Sequence, residues 1–233
     1  MPAKNSIKQY APDSYYHLYN RGVEKRQIFM DTQDYTVFLS YLKSYLLPKD
    51  SLNLQKMLAD PLTPWRQKDR IIKLLRLNNF SETLELLAYC LMSNHFHFLF
   101  KQTEADTIDK FMNSLCTRYT MYFNKKYKRV GKLFQGVYKA VLVTSDEQLL
   151  HLSRYIHRNP TSLALQGDAL QGYKYSSYQE YLGLRDTKWV KPDQILSFFS
   201  KSGYNSYKIF TEDVSLEEVS IGKVSKLTLD YES

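Results

Sequence analysis

The run YCLMSNHFHFLF (89–100) places His95 and His97 two residues apart among apolar neighbours. In a strand, side chains at i and i+2 leave the same face, so both imidazoles would aim at one point while Phe96 and Phe98 aim away from it. Neutral imidazole is a versatile metal ligand, and two on one strand form half a coordination shell at little ordering cost. The plainer alternative for a bare HxH is two histidines on a solvated sheet face. A second constellation, HLSRYIHRNP (151–160), sets His151, Tyr155 and Asn159 four apart. On a helix that is one stripe, offering a phenol beside an amide oxygen. The plain alternatives are an ordinary amphipathic core tyrosine and a C-cap before proline. His157 falls about 200° around the helix from Tyr155 and is expected to face elsewhere.

A third signal is electrostatic. Between Asp109 and Asp146 there is no acidic residue, while Lys110, Arg118, Lys125, Lys126, Lys128, Arg129, Lys132 and Lys139 are all cationic. Tyr119, Tyr122, Tyr127, Phe134 and Tyr138 are interleaved with them, a pattern suited to phosphate contact beside base stacking. Phe111 and Phe123 are assigned to the core. Stacking needs unpaired bases, so single-stranded nucleic acid is favoured over duplex.

These residues must be held by elements legible in the same sequence. Ser14 to Arg21 alternates aromatic and polar residues before Gly22, which reads as a strand ending in a turn. A helix follows from Asp34 to about Leu47-Pro48, with Phe38, Leu42 and Tyr45 sharing a face. Leu84 to Met92 and His95 to Lys101, separated by Ser93-Asn94, form a candidate hairpin. Asp106 starts a helix reaching about Tyr127, and Gly136 to Val143 reads as a strand. Ser145 then caps a helix running to Arg158, where Asn159-Pro160 stops it. The order β-α-β-β-α-β-α predicts an α+β, ferredoxin-like (split βαβ) antiparallel sheet with helices on one face. Pro48, Pro61 and Pro64 break the segment 48–80, read as an insertion carrying the basic amphipathic helix RQKDRIIKLLRL. The expected division is a domain over 1–183 and a C-terminal extension over 184–233, whose tail from Thr211 is acidic.

The chain has 233 residues, a formal charge of +8, 43% hydrophobic and 15% aromatic residues. That composition excludes wholesale disorder and suits a polyanionic partner. No signal-like apolar core begins it and nowhere do 18 apolar residues run together, so a soluble, cytoplasmic protein without a membrane partner is expected. Cys90 and Cys116 are too few and too separated for a disulfide framework or a CxxC metal site, and are expected to be reduced core thiols.

Taken together the motifs resemble the single-tyrosine HUH transposases (IS200-like), most closely the group of REP-associated tyrosine transposases. The resemblance is carried by YHLYNRG (16–22), LMSNHFHFLF (91–100), RYTMYFNKKYKRVGKLFQGVYKAVLV (118–143) and RYIHRNP (154–160), and spans roughly residues 14–183. It implies a metal-dependent single-stranded DNA endonuclease and strand transferase acting beside an imperfect-palindrome hairpin through a 5′-phosphotyrosine. His95 and His97 would be metal ligands, Asn159 the third ligand and Tyr155 the nucleophile. A divalent metal, Mg²⁺ or Mn²⁺, is implied, although two imidazoles would also accept Zn²⁺. A phenol with a pKa near 10 is a poor nucleophile at neutral pH and needs a cation's field or a base, for which His151 is a candidate as base or outer partner. Arg118, Lys125, Lys126, Lys128, Arg129, Lys132 and Lys139 are the expected DNA contacts, with Arg66 and Arg70 of the insertion on the hairpin stem or DNA flanks. His17 matches a family position but is expected to be packed or hydrogen-bonded beside the sheet. The family includes monomers and homodimers. The alternative function is a non-catalytic single-stranded DNA or RNA-binding module of the same fold.

Overall fold

The structure, a computed structural model, describes residues 10–163, 167–201, 206–216, 219 and 222–223. Its elements run β1 (Ser14–Arg21), α1 (Thr32–Leu46), α2 (Ser51–Ala59), α3 (Trp65–Arg76), β2 (Leu84–Met92), β3 (His95–Gln102), α4 (Thr107–Lys126), β4 (Lys139–Val143) and α5 (Asp146–Arg158). Four short helices follow: α6 (Asp168–Gln171), α7 (Tyr178–Tyr181), α8 (Asp193–Leu196) and α9 (Tyr207–Glu212). The sheet order is β2-β3-β1-β4 and every pair is antiparallel. With α2 and α3 set aside, that is the βαββαβ topology of the ferredoxin-like fold. Glu217, Glu218, Asp230 and Glu232 of the acidic tail lie outside the described residues.

The alternation in β3 sorts its side chains. Phe96, Phe98 and Phe100 join a core with Phe38, Leu42 and Tyr45 of α1 and Phe111, Leu115, Tyr119 and Phe123 of α4. In β2 a bulge falls between Leu86 and Ala88, so Leu87 and Ala88 both reach the second face before alternation resumes. The helices α1 and α4 cover one face, as the fold class predicts. The face carrying the histidines is covered too, because Ala88, Cys90, Met92 and Leu99 pack under Leu149, Leu152 and Ile156 of α5, with Tyr178, Tyr181, Ile195 and Tyr207 from the short helices. Cys90 is a buried free thiol and Cys116 a half-buried one.

Local chemistry fixes α5. The Ser145 hydroxyl accepts from the Gln148 N–H (3.2 Å), and Gln148 Oε1 accepts from the Thr144 N–H (3.0 Å), a reciprocal capping arrangement. At the other end Asn159-Pro160 does not stop the chain sharply. Asn159 keeps helical angles (φ −48°, ψ −39°) and the backbone tightens into a 3-10 turn over Asn159–Leu163. Proline is tolerated there because the first turn of a new helical segment needs no N–H from it. The side chain of Asn159 therefore stays on the stripe of His151 and Tyr155. The strand expected from Gly136 begins only at Lys139, since Gly136 has a positive φ (81°) and Gly136 N–H turns back to the Phe134 carbonyl.

Candidate active site

The sheet end that carries His95 is built by a clasp of backbone bonds. Gly22 N–H donates to the Asn94 carbonyl (2.8 Å), and the N–H groups of Ile28 and Phe29 donate to the Ser93 carbonyl (2.8 and 3.0 Å). Val23 N–H reaches the Leu133 carbonyl (2.9 Å), and Gln135 N–H the Arg21 carbonyl (2.8 Å), so the segment between α4 and β4 joins the same end. Gly22 is required by close approach: a Cβ there would lie 2.2 Å from the Arg26 carbonyl oxygen.

Over this end α5 brings the second motif. His95 Nε2 lies 2.9 Å from Asn159 Oδ1, and the ring of Tyr155 stands edge-on to His97, centroids 5.5 Å apart. His95 and His97 are 5.0 Å apart between centroids with planes at 85°. The four residues assigned to the site by resemblance thus meet within one chain. His95, Tyr155 and Asn159 are half-buried, whereas His97 is buried. Burial pushes the His97 pKa well below its ordinary value, and the neighbouring His95 and His17 act in the same direction, so the ring is neutral.

The donor set fits a divalent cation. Asn94 Oδ1 lies 2.6 Å from His95 Nδ1, while Asn94 Nδ2 donates to the Lys25 carbonyl (3.3 Å). That amide orientation makes Nδ1 of neutral His95 the protonated nitrogen, leaving the Nε2 lone pair facing the Asn159 oxygen. Two acceptors 2.9 Å apart call for a cation or a second proton. Donors each about 2.1 Å from one ion on perpendicular axes stand about 3 Å apart, which matches. Among the described residues no group of three or more His, Cys, Asp or Glu side chains could hold a metal ion.

Three residues not expected in the site adjoin it. His17 is buried and hydrogen-bonded, as predicted, but its partner is His97: Nε2 lies 2.9 Å from His97 Nδ1. Its ring also stands 6.4 Å from that of Tyr155. Tyr19 pairs in register with both His97 and Lys139, and Arg21 with His95, so Tyr19, Arg21 and Lys139 start from the histidine face. Arg21 Nε donates to Gln135 Oε1 (2.5 Å). The i, i+2 spacing of His17, Tyr19 and Arg21 was visible in the sequence; that β1 lies beside β3 was not.

His151 lies on the stripe of Tyr155 and packs its ring on Phe210 of α9, 5.4 Å between centroids. Burial lowers its pKa, opposed by the charge of Glu147. His157 faces away from the site, with Nδ1 2.7 Å from the Tyr207 hydroxyl and Nε2 2.8 Å from Ser177 Oγ.

The expected stacking platform is corrected by the packing. Tyr119, Phe134 and Tyr138 are buried, and the Tyr119 hydroxyl donates to the Ile28 carbonyl (2.5 Å). The hydroxyls of Tyr122 and Tyr127 donate to Asp34 (3.0 and 2.8 Å). Tyr122 and Tyr127 thus tie the C-terminal end of α4 to the start of α1, and Tyr119 ties α4 to the segment before α1, because a ferredoxin-like helix must bury one face on the sheet and tyrosine can satisfy a buried carboxylate there. The expected phosphate contacts divide between cations with partners inside the chain and cations at the surface. Lys126 is held by Asp31 and Asp34 (2.7 and 2.8 Å), Arg118 lies 3.7 Å from the Tyr41 ring centroid, and Arg129 donates to Asn124 Oδ1 (3.0 Å). Lys125, Lys128, Lys132 and Lys139 are exposed, as are Arg66 and Arg70 on α3.

The ferredoxin-like sheet thus carries a histidine pair on one strand, with a tyrosine and an amide on the helix above it. Residues 62–159 match the family model Y1_Tnp, "Transposase IS200 like", a stretch that contains His95, His97, Tyr155 and Asn159. The sequence resemblance to the IS200-like transposases thus holds over that stretch. No curated protein sequence matches the chain. Among solved structures it is similar to one described as "Structure of the REP associates tyrosine transposase bound to a REP hairpin", with 10% identity, TM-score 0.47, and coverage of 87% of this chain and 95% of that one. It is also similar to tRNA(His) guanylyltransferase from Saccharomyces cerevisiae, with 10% identity, TM-score 0.34, and coverage of 98% and 84%. Among the described residues no helix is long and apolar enough to cross a membrane.

Proposed function

We propose that the chain is a metal-dependent single-stranded DNA endonuclease and strand transferase that acts beside a DNA hairpin through Tyr155. The observation that carries this reading is the convergence of His95, His97, Tyr155 and Asn159, two motifs 64 residues apart for the His95–Asn159 pair, at one end of the sheet. A divalent ion, Mg²⁺ or Mn²⁺, held by His95 Nε2, His97 and Asn159 Oδ1, would supply Lewis-acid polarisation of the scissile phosphate.

The protein's own groups do the rest. The Tyr155 oxygen forms a bond to phosphorus as the bond from phosphorus to the 3′ oxygen breaks, giving a 5′-phosphotyrosine and a 3′-hydroxyl that has taken up a proton. Attack by another 3′-hydroxyl reverses these changes and rejoins strands, because the bond energy is stored in the ester. The edge-on His97 ring limits where the phenol ring of Tyr155 can sit. His151, neutral and one turn before Tyr155, is the candidate acceptor for the phenol proton or an outer partner of the tyrosine. Arg21 and Lys139, rising from the strand beside β3 and its outer neighbour, would meet the phosphates flanking the reacting one, with Lys125, Lys128 and Lys132 extending the path.

The test is a denaturing gel of protein with labelled single-stranded hairpin oligonucleotides drawn from the flanks of its own gene, with Mn²⁺ or Mg²⁺. A covalent band is expected for the wild type and is lost in Tyr155→Phe and with chelator. Cleavage that survives Tyr155→Phe would point to water as the nucleophile, and binding without any cleavage would leave the non-catalytic binding module as the function.

A further inference from the structure

Both histidines of the site have Nδ1 held by a neighbouring side chain. His95 Nδ1 meets Asn94 Oδ1 at 2.6 Å, and His97 Nδ1 meets His17 Nε2 at 2.9 Å. The His17 and His97 planes are within 16° and their centroids 5.1 Å apart. With the nitrogens at 2.9 Å, those values describe two rings edge to edge and nearly coplanar, the geometry of an in-plane hydrogen bond and not a face stack. Both residues are buried, so water has no access to replace the contact.

We propose that His17 is a positioning residue: it accepts the Nδ1 hydrogen of His97, fixing the tautomer and ring angle that leave Nε2 bare for the site, as Asn94 does for His95. This rests on the metal-site reading of the preceding section. A neutral imidazole carries its hydrogen on either nitrogen at similar cost, and the wrong choice would put an N–H where a lone pair is needed. Partners behind a ligating histidine settle that choice, and their removal typically costs 10- to 100-fold in metal affinity. Asn94 is itself fixed, since its backbone carbonyl accepts from Gly22 and its amide donates to Lys25. His17 is carried by β1, which pairs with β3 along the whole length of both strands. The histidine pair is therefore braced from the turn on one side and from the adjacent strand on the other.

Two measurements test the assignment. In ¹⁵N imidazole spectra of the metal-free protein, His97 is expected as the Nδ1–H tautomer, and a hydrogen on Nε2 would overturn the proposal. In parallel, Mn²⁺ affinity is read from the electron paramagnetic resonance of free Mn²⁺ for the wild type, His17→Leu, His17→Gln, Asn94→Ala and His97→Ala, each checked for folding by circular dichroism. His17→Leu and Asn94→Ala should each weaken Mn²⁺ binding about 10- to 100-fold, and His17→Gln, whose amide oxygen can accept the same hydrogen, should recover part of the loss. Wild-type affinity in folded His17→Leu would overturn the positioning role while leaving the metal site standing. Absence of Mn²⁺ binding by the wild type, or equal binding by His97→Ala, would overturn both. Should His17→Leu not fold, the spectra and His17→Gln still decide, since the glutamine variant must fall between the wild type and His97→Ala.

Discussion

The guanidinium of Arg154 donates to the Phe210 carbonyl at 2.8 Å, tying the helix that carries Tyr155 to a segment 56 residues further along the chain. A second nitrogen of the same buried side chain reaches the Asp213 carbonyl (2.5 Å), and Arg158 reaches the Thr211 carbonyl (3.2 Å). The C-terminal carbonyls of α9, which lack helical partners, are thus satisfied by cations from α5. The flank of α5 beside the His151–Tyr155 stripe is thereby anchored to α9, and this sets where Tyr155 and Asn159 stand.

Arg154→Leu should therefore destabilise the fold by about 3 kcal/mol, the order for buried carbonyls that lose hydrogen bonds from a charged donor. Chemical denaturation measures it. Covalent adduct formation should fall further than stability alone requires, because α5 loses its anchor; a variant that is destabilised yet forms adduct at the wild-type rate would show that α9 does not position the tyrosine.

Asp34 should make stability acid-sensitive. Burial acts to raise its pKa, but hydrogen bonds from Lys126, the Met30 N–H, Tyr127 and Tyr122 outweigh it and hold the value below that of an ordinary carboxylate. A depressed folded pKa means the contribution is complete above about pH 4 and is lost as pH falls through the folded value. In Asp34→Asn the decline of unfolding free energy below about pH 4 should be shallower than in the wild type, read by urea titrations across pH.

The cations sort into engaged and exposed sets, and salt dependence distinguishes them. Charge reversal at Lys128 or Lys132 should reduce the slope of log affinity against log salt for single-stranded DNA by about 0.7 for each phosphate no longer neutralised. Lys126→Gln should leave that slope unchanged while lowering stability, since Lys126 is spent on Asp31 and Asp34. Equal slopes for all three variants would place the DNA elsewhere.

On α3, Arg66, Arg70 and Lys73 lie on one helical stripe, and Lys73 is paired with Asp69 (2.6 Å) in a solvent-exposed bridge worth little. Reversing Arg66 and Arg70 should weaken binding to an oligonucleotide with a hairpin stem and leave binding to the unpaired strand alone unchanged. Competition assays with the two oligonucleotides compare them directly.

Gly22→Ala should disturb the site from a distance. The added carbon meets the Arg26 carbonyl oxygen at 2.2 Å, so the turn that grips Ser93 and Asn94 must shift. A stability loss of about 1–3 kcal/mol, the range for overpacking, should accompany weaker Mn²⁺ binding.

Much of this arrangement was legible in the sequence. The alternation of β3, the Ser93-Asn94 turn and the capped helix ending near Asn159 follow from side-chain periodicity and capping, which act over a few residues. They correctly put His95 with His97, and Tyr155 with Asn159. What the tertiary structure alone decided is which strand lies beside β3 and which cations are already partnered. Strand order brought His17 onto His97 and Arg21 beside His95, through pairings between residues far apart in the chain that leave no local periodic trace. The tyrosines of α4 looked like a stacking surface because a helix sequence does not state which way it will turn. The sheet buried that face, and Asp34, from another helix, took up the hydroxyls of Tyr122 and Tyr127 and the charge of Lys126.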